Sequence, residues 1–268
     1  MKYKVTLLES VIMVTLFFAL WFGLSNINWV KILNVQETKD TTEEKLGDLF
    51  WEFLQQSQKE NTNPIVVNAL DTIVTALCSK NSIEREFIKV HILEKDEVNA
   101  FALPNGHVIV YTGLIKESEN YEELSGVLAH EIVHITHRHV MKKLVKEFGL
   151  SVLLSMIGGN SGTQIVKEAV STLSSSAFDR KLEKEADIVA VDYLVSARIN
   201  PEPFADFLYR MSTEEPELLK NLSWISTHPD SEERAKYILE YSKKKKTRYK
   251  SVLSEKTWDD VQEELSNE

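Results

Sequence analysis

Two histidines four residues apart, His130 and His134, stand in a stretch from Asn120 to about Phe148 where Leu124, Leu128, Ile132 and Ile135 recur at helical spacing. Four residues on a helix turn about 400°, so both imidazoles leave one face roughly one turn apart, which suits two ligands of a single metal ion. Glu131 lies about 100° further round, able to reach a water beside the metal rather than the metal itself. The HEIVH string therefore demands a helix, and a second element to complete the site.

A catalytic zinc usually has three protein ligands and keeps its fourth position for water. The metzincin arrangement would need Gly at position 137 and His at 140, but these are His137 and Val140, which excludes it. His137 shares the face of His130 and His134 yet lies about 10 Å along the axis from His130, beyond joint coordination. His139 is off that face. Both are read as groups supporting the site or as surface residues, with the surface preferred. The other route to a third ligand is a carboxylate on a second helix, and FDRKLEKEADIVAVDYL offers Glu183, Glu185 and Asp187. Glu183 and Asp187 share a face, so one can bind the metal while the other, one turn on, accepts the free N–H of a histidine ligand and fixes its tautomer. Glu185 points elsewhere.

The rest of the chain frames that site. At 268 residues it suits one substantial domain. A net charge of −10 argues against a nucleic-acid partner, since phosphate binding needs clustered cations. The basic run Lys243 to Lys246 reads as a solvated helix end, with lipid headgroups as the alternative. Cys78 is the only cysteine, and its neighbours Ala76 and Leu77 suggest a buried, inert thiol. Lys2 and Lys4 precede the apolar run Val11 to Leu24, the pattern of an export or membrane-insertion signal. Trp21 and Trp29 favour a retained anchor, whereas Gly23-Leu24-Ser25 has the form of a cleavage site. Either way the domain should lie across the membrane from the cytoplasm. The expected organisation is a signal-anchor or signal peptide over 1–30, a spacer over 31–42 and a catalytic domain over 43–268.

Within that domain, Leu46 to Leu54 and Val66 to Leu77 carry helical apolar stripes that belong to the core. Between Glu86 and Gly113 the pattern turns to strands, and Asn105-Gly106 between NAFALP and HVIVYTG marks a hairpin. A small antiparallel sheet is expected. Gly149 to Gly162 reads as a mobile, partly apolar flap. Helices follow from Gln164 to Ile199 with a break near Ser174 to Ser176, then near Pro203 to Met211, Ser231 to Ser242 and Trp258 to Leu265. The fold class is α+β, mainly helical.

HEIVH, the EKEAD string after Phe178-Asp179-Arg180, NAFALPNGHVIVYTGL and STHPDSEER occur in an order that resembles the HtpX and BepA-like gluzincins. That is family forty-eight of the metallopeptidases, which also includes the CAAX prenyl proteases and the Oma proteases. The likeness spans about Asn99 to Arg234, and the single apolar amino-terminal run is nearer to exported BepA-type members than to the several-span ones. The resemblance implies a zincin-like core, one zinc ion per subunit, Glu183 as third ligand and Asp187 as the residue behind it. It also implies that the strand Asn99, Ala100, Phe101 and Ala102 receives substrate as an added strand. His228, in the STHP string, then either stabilises the oxyanion or acts as a reversible fourth ligand that silences the metal. The expected function is a zinc-dependent endopeptidase of the cell envelope acting on unfolded, misfolded or membrane-associated proteins. An aminopeptidase would need an acidic subsite that no motif supplies. An envelope chaperone or adaptor with a latent zinc site is the remaining alternative.

Overall fold

The computed structural model describes residues 35–159, 162–213, 223–245 and 247–267. The expected signal or anchor over 1–30 and the start of the spacer lie outside these residues. The chain divides into two compact units, residues 1–42 and residues 43–268. Among the described residues no helix is long and apolar enough to cross a membrane.

Helix α1 covers Val35–Ser57, so the expected spacer is helical from Val35 onward. No glycine or proline interrupts residues 35–42, and polarity alone does not stop a helix. Helix α2, Pro64–Lys80, starts where Pro64 cannot donate and the Asn63 side chain accepts from the Ile65 N–H at 2.9 Å. Strands β1 (Lys89–Leu93), β2 (Ala100–Ala102) and β3 (His107–Tyr111) form one sheet in the order β1-β3-β2. Asn105 and Gly106 both take positive φ, 60° and 80°, and join β2 to β3 as antiparallel neighbours. The sheet is nevertheless mixed rather than antiparallel: β1 pairs with β3 in parallel, Lys89 opposite His107 and Leu93 opposite Tyr111. The hairpin already occupies one side of β3, so β1 takes the other side, from which residues 94–99 cross to β2.

On these strands His91 and His107 meet with coplanar rings, Nε2 to Nδ1 2.9 Å apart. Glu60 stands behind His91 at 3.3 Å, and Lys89 (3.3 Å) and Asp48 (3.5 Å) stand behind His107. Trp51 of α1 stacks on His91 at 3.6 Å and so seats α1 on the sheet. Burial and neighbouring cationic groups push His107 down to about 4, and burial also lowers His91.

Short α3 (Thr112–Glu117) leads into α4 (Tyr121–Thr136), which carries HEIVH. Asn120 caps α4 by accepting from the Glu123 N–H at 2.9 Å, and Glu123 returns a bond to the Glu119 N–H. Leu124, Val127, Leu128, Ile132 and Val133 are fully buried, which makes α4 the central helix. Gly126 permits a close crossing: a Cβ there would lie 2.3 Å from Cβ of Phe204 on α9 (Glu202–Thr213).

The expected continuous helix to Phe148 is broken. Arg138 takes a left-handed conformation, φ 56°, with its guanidinium held by Glu43 at 2.8 Å, and α5 (His139–Phe148) starts in a new direction. The expected flap is also largely helical: α6 spans Leu150–Ile157. Its glycines confine themselves to the ends, Gly149 before and Gly158 and Gly159 after. Helices α7 (Thr163–Ser175) and α8 (Arg180–Ala197) bracket the expected break, and Arg198 (φ 63°) with Asn200-Pro201 ends α8. Then come α9, α10 (Ser223–Thr227), α11 (Ser231–Ser242) and α12 (Glu255–Ser266). Helix α8 packs along α4, and α11 packs on α8 and α9, which brings the second half of the chain back over HEIVH.

Candidate metal centre

His130 and His134 leave α4 one turn apart, both fully buried, with Nε2 atoms 2.9 Å from each other. Glu183, in the first turn of α8, places Oε2 3.6 Å from His130 Nε2 and Oε1 3.5 Å from His134 Nε2. His228, just past α10, brings Nδ1 to 2.9 Å from Glu183 Oε2 and 3.2 Å from His130 Nε2. One donor atom from each of these four residues falls within 4.8 Å of the others. The set fits zinc. Imidazole nitrogens and a carboxylate are its ordinary ligands, and tetrahedral bonds of about 2.0–2.1 Å put neighbouring donors about 3.4 Å apart.

The supporting groups are as ordered as the donors. Asp187, one turn beyond Glu183, lies 2.9 Å from His130 Nδ1 and so directs the lone pair of Nε2 toward the centre. Asp187 is itself held by two bonds from Arg234, Nε at 2.8 Å and Nη2 at 2.7 Å, and by the Tyr237 hydroxyl. Arg234 also donates to the His228 carbonyl at 2.9 Å and lies 3.3 Å from Glu183. Burial would raise the Asp187 and Glu183 carboxyls, but Arg234 for the first and His228 for the second hold both well below the carboxylate range.

Glu131 is fully buried. Its Oε1 accepts from the Trp224 indole N–H at 3.2 Å and lies 3.3 Å from His228 Nε2, while Oε2 has no hydrogen-bond partner among the described residues. Burial opposes ionisation, yet the histidines around it bring Glu131 down to about 2. His228, between two carboxylates, is raised to about 9 against the penalty of its own burial. Burial lowers His134 to about 4.

The expected surface position of His139 is corrected. The break at Arg138 turns it inward, fully buried, with Nδ1 3.2 Å from His134 Nδ1 and Nε2 3.5 Å from Glu185 Oε2. Glu185 thus points away from the donor cluster, and His139 connects it to His134. His137 caps α4 and stays partly exposed beside the Thr136 hydroxyl.

Asn99 to Ala102 lies on the sheet's edge strand. Asn99 accepts from the Tyr111 N–H and Leu103 donates to the His107 carbonyl, so Ala100 and Ala102 turn their backbone groups to the outer side. That side is covered: both alanines are buried, Asn99 donates to the Ser174 carbonyl at 3.0 Å, and the Trp224 N–H bonds the Val98 carbonyl at 3.1 Å. Phe178 stacks on His134 at 4.1 Å, and buried Lys143 sits over the Phe178 ring while bonding the Ser176 carbonyl. Burial pushes Lys143 down to about 8. Trp224, Lys143, Phe178, Tyr237 and Arg234 escaped the sequence reading as site residues. Only two had a signal: Phe178 as the first residue of FDRKLEKEAD and Arg234 as the last residue of STHPDSEER.

The family model for peptidase family M48 matches residues 65–242. The chain is 27% identical over 212 residues to the beta-barrel assembly-enhancing protease of Escherichia coli K12, covering 72% of this chain and 42% of the relative. It is 24% identical over 196 residues to the protein of that name from Yersinia pestis, covering 69% and 40%. It is 30% identical over 155 residues to the mitochondrial metalloendopeptidase OMA1 of Schizosaccharomyces pombe, covering 57% and 46%. The chain thus spans less than half the length of these curated relatives.

Proposed function

Because this chain belongs to peptidase family M48, we propose that it is a zinc-dependent endopeptidase with Glu131 as general base and His130, His134 and Glu183 as metal ligands. One observation carries the reading: Glu131 Oε2 is buried and, among the described residues, unpartnered beside four converging donors, where an attacking water would find its acceptor. Zinc held there supplies Lewis acidity toward a peptide carbonyl. Glu131 takes a proton from the attacking water and returns it to the leaving amine. Asp187 and Arg234 keep His130 in the tautomer that turns Nε2 inward.

His228 stands among the donors, which favours the fourth-ligand role, while its Nε2 beside Glu131 is where an oxyanion donor would stand. Trp224 occupies Glu131 Oε1 and α7 lies along β2, so a peptide that adds to β2 must displace the Ser174 and Trp224 contacts. Such a site suits extended, unfolded segments better than folded surfaces. The apolar run Val11 to Leu24 supports a membrane-attached or exported enzyme of the cell envelope, its domain outside the cytoplasm. The names of its relatives, a beta-barrel assembly-enhancing protease and a metalloendopeptidase, agree with the endopeptidase reading, and quality control is the role proposed for it.

The test combines zinc analysis with casein digestion. Glu131→Gln should keep zinc and lose cleavage by about two to four orders of magnitude. His228→Ala should keep zinc and separate the two roles: faster cleavage marks an inhibitory ligand, slower cleavage an oxyanion donor. Blocking the amino termini of a peptide substrate should leave cleavage unchanged. Normal turnover by Glu131→Gln would overturn the proposal, and binding of clients without cleavage by any variant would favour a chaperone.

A further inference from the structure

A neutral imidazole that binds a metal through one ring nitrogen carries its proton on the other. His134 turns Nε2 to the donor cluster, 2.9 Å from His130 Nε2 and 3.5 Å from Glu183 Oε1, so its Nδ1 holds a proton and needs an acceptor. For His130 the matching atom meets the Asp187 carboxylate; for His134 it meets a second imidazole, with His139 Nδ1 3.2 Å away. Two facing Nδ1 atoms share one proton. His134 supplies it, so His139 accepts with a lone pair and carries its own proton on Nε2. That nitrogen is buried, makes no hydrogen bond among the described residues and has Glu185 Oε2 3.5 Å away. An ionised carboxylate only accepts, which agrees with a proton on Nε2. The full burial of His139 disfavours a charged ring and keeps the Nδ1 lone pair available.

The ring of His134 needs such a partner. Phe178 stacks on it, 4.1 Å between centroids and 28° between planes, which fixes the plane of the ring. Stacking does not select between the two orientations half a turn apart about χ2, a torsion that is broadly two-fold. The flipped ring would put Cε1 where Nε2 now stands and take the donor out of the cluster. An acceptor at the Nδ1 edge selects the productive orientation.

His139 reaches that edge against the preference of the backbone. Five residues of continuous helix turn about 500°, which would leave His139 about 140° round from His134. Arg138 breaks the helix in a left-handed conformation, φ 56°, unfavourable for a residue with a Cβ, and Glu43 holds its guanidinium at 2.8 Å. A strained residue beside a ligand points to a use for the arrangement it produces.

We propose that His139 is a positioning residue of the metal centre, whose Nδ1 accepts from His134 Nδ1 and sets the tautomer and ring orientation in which His134 binds zinc. The proposal rests on His134 being a metal ligand. It gives the two histidine ligands unlike supports, an anionic one for His130 and a neutral one for His134.

Two variants of the full chain separate this role from packing. His139→Asn keeps an acceptor, Oδ1, near the place of Nδ1 but loses bulk, whereas His139→Phe keeps a ring and loses the acceptor. Zinc affinity, read by competition with a chromophoric chelator, should fall about 10- to 100-fold in His139→Phe and be largely restored in His139→Asn. A side chain that only fills space would rank them the other way. Melting of the metal-free variants reports folding separately. Nitrogen-15 spectra of the histidines in the zinc-loaded wild-type chain read the tautomers without any substitution, with protons expected on His134 Nδ1 and His139 Nε2. Native affinity in His139→Phe, equal losses in both variants, or a proton on His139 Nδ1 would overturn the proposal. His134→Ala tests the underlying reading: it should lose zinc binding, and normal binding there would overturn the ligand assignment itself.

Discussion

Replacing Asp187 with asparagine tests whether the metal centre and the core share one carboxylate. Asp187 is fully buried, faces His130 Nδ1 at 2.9 Å, takes two bonds from Arg234 and accepts from Tyr237. Loss of the carboxylate behind a metal-binding histidine lowers metal affinity about 10- to 100-fold, roughly 1.4–2.8 kcal/mol. The same change strands Arg234, which is 2% exposed, and breaking a buried pair from one side costs about 3–5 kcal/mol. At about 2–4 °C per kcal/mol for a domain of this size, the midpoint of thermal unfolding should fall by roughly 6–20 °C. Zinc affinity is read by competition with a chromophoric chelator and stability by thermal melts at fixed free zinc. Asp187→Asn/Arg234→Met removes both partners, so it should recover much of the stability but none of the zinc affinity. If Asp187→Asn kept native zinc affinity, or the double variant restored it, the role given to Asp187 would be wrong.

Gly126→Ala forces a methyl group against Phe204 at 2.3 Å, an overpacking worth about 1–3 kcal/mol, offset in part by the helix preference of alanine. A lowered melting midpoint is expected, and a raised one would show that α4 and α9 can part without cost. The depressed His91 and His107 bind protons more weakly folded than unfolded. Their contribution is complete above the unfolded value near 6.5 and declines as pH falls toward about 4. Denaturation midpoints should drop across that window, and His107→Gln should flatten the slope. An unchanged slope would remove His107 from the account. Burial raises the Cys78 thiol to about 11, so Ellman's reagent at pH 8 should titrate it only after denaturation. Rapid modification of the native protein would contradict its burial.

Features set by local chemistry could be read before the fold was known. The four-residue spacing in HEIVH, the Glu183 to Asp187 spacing and the Asn105-Gly106 turn each depend on a few neighbouring residues, and each appears at its expected place. The errors arose where distant contacts decide. The inward turn of His139 follows from one left-handed residue, Arg138, whose partner Glu43 is 95 positions away. Helical periodicity cannot register such a break. The parallel pairing of β1 depends on which side of β3 remains available, not on the sequence of β1. Trp224 and Lys143 carry no motif and matter only because α10 and α5 approach the same centre. The glycines near the end of the Gly149 to Gly162 segment argue against one helix through it, but the eight apolar and serine residues before them are enough to form α6.

The donors also have a meaning for the chain's folding. His130 and His228 stand 98 positions apart, and Glu183 is 45 positions before His228. An ion bound by them closes long loops, and it binds the native arrangement far better than a chain in which these residues drift apart. Stability then becomes a function of free metal concentration, gaining about 4 kcal/mol at a thousandfold excess over the dissociation constant. During synthesis the four donors are not all present until His228 has emerged. The stabilisation that an ion gives to the whole donor set is therefore gained only after the chain has been made that far.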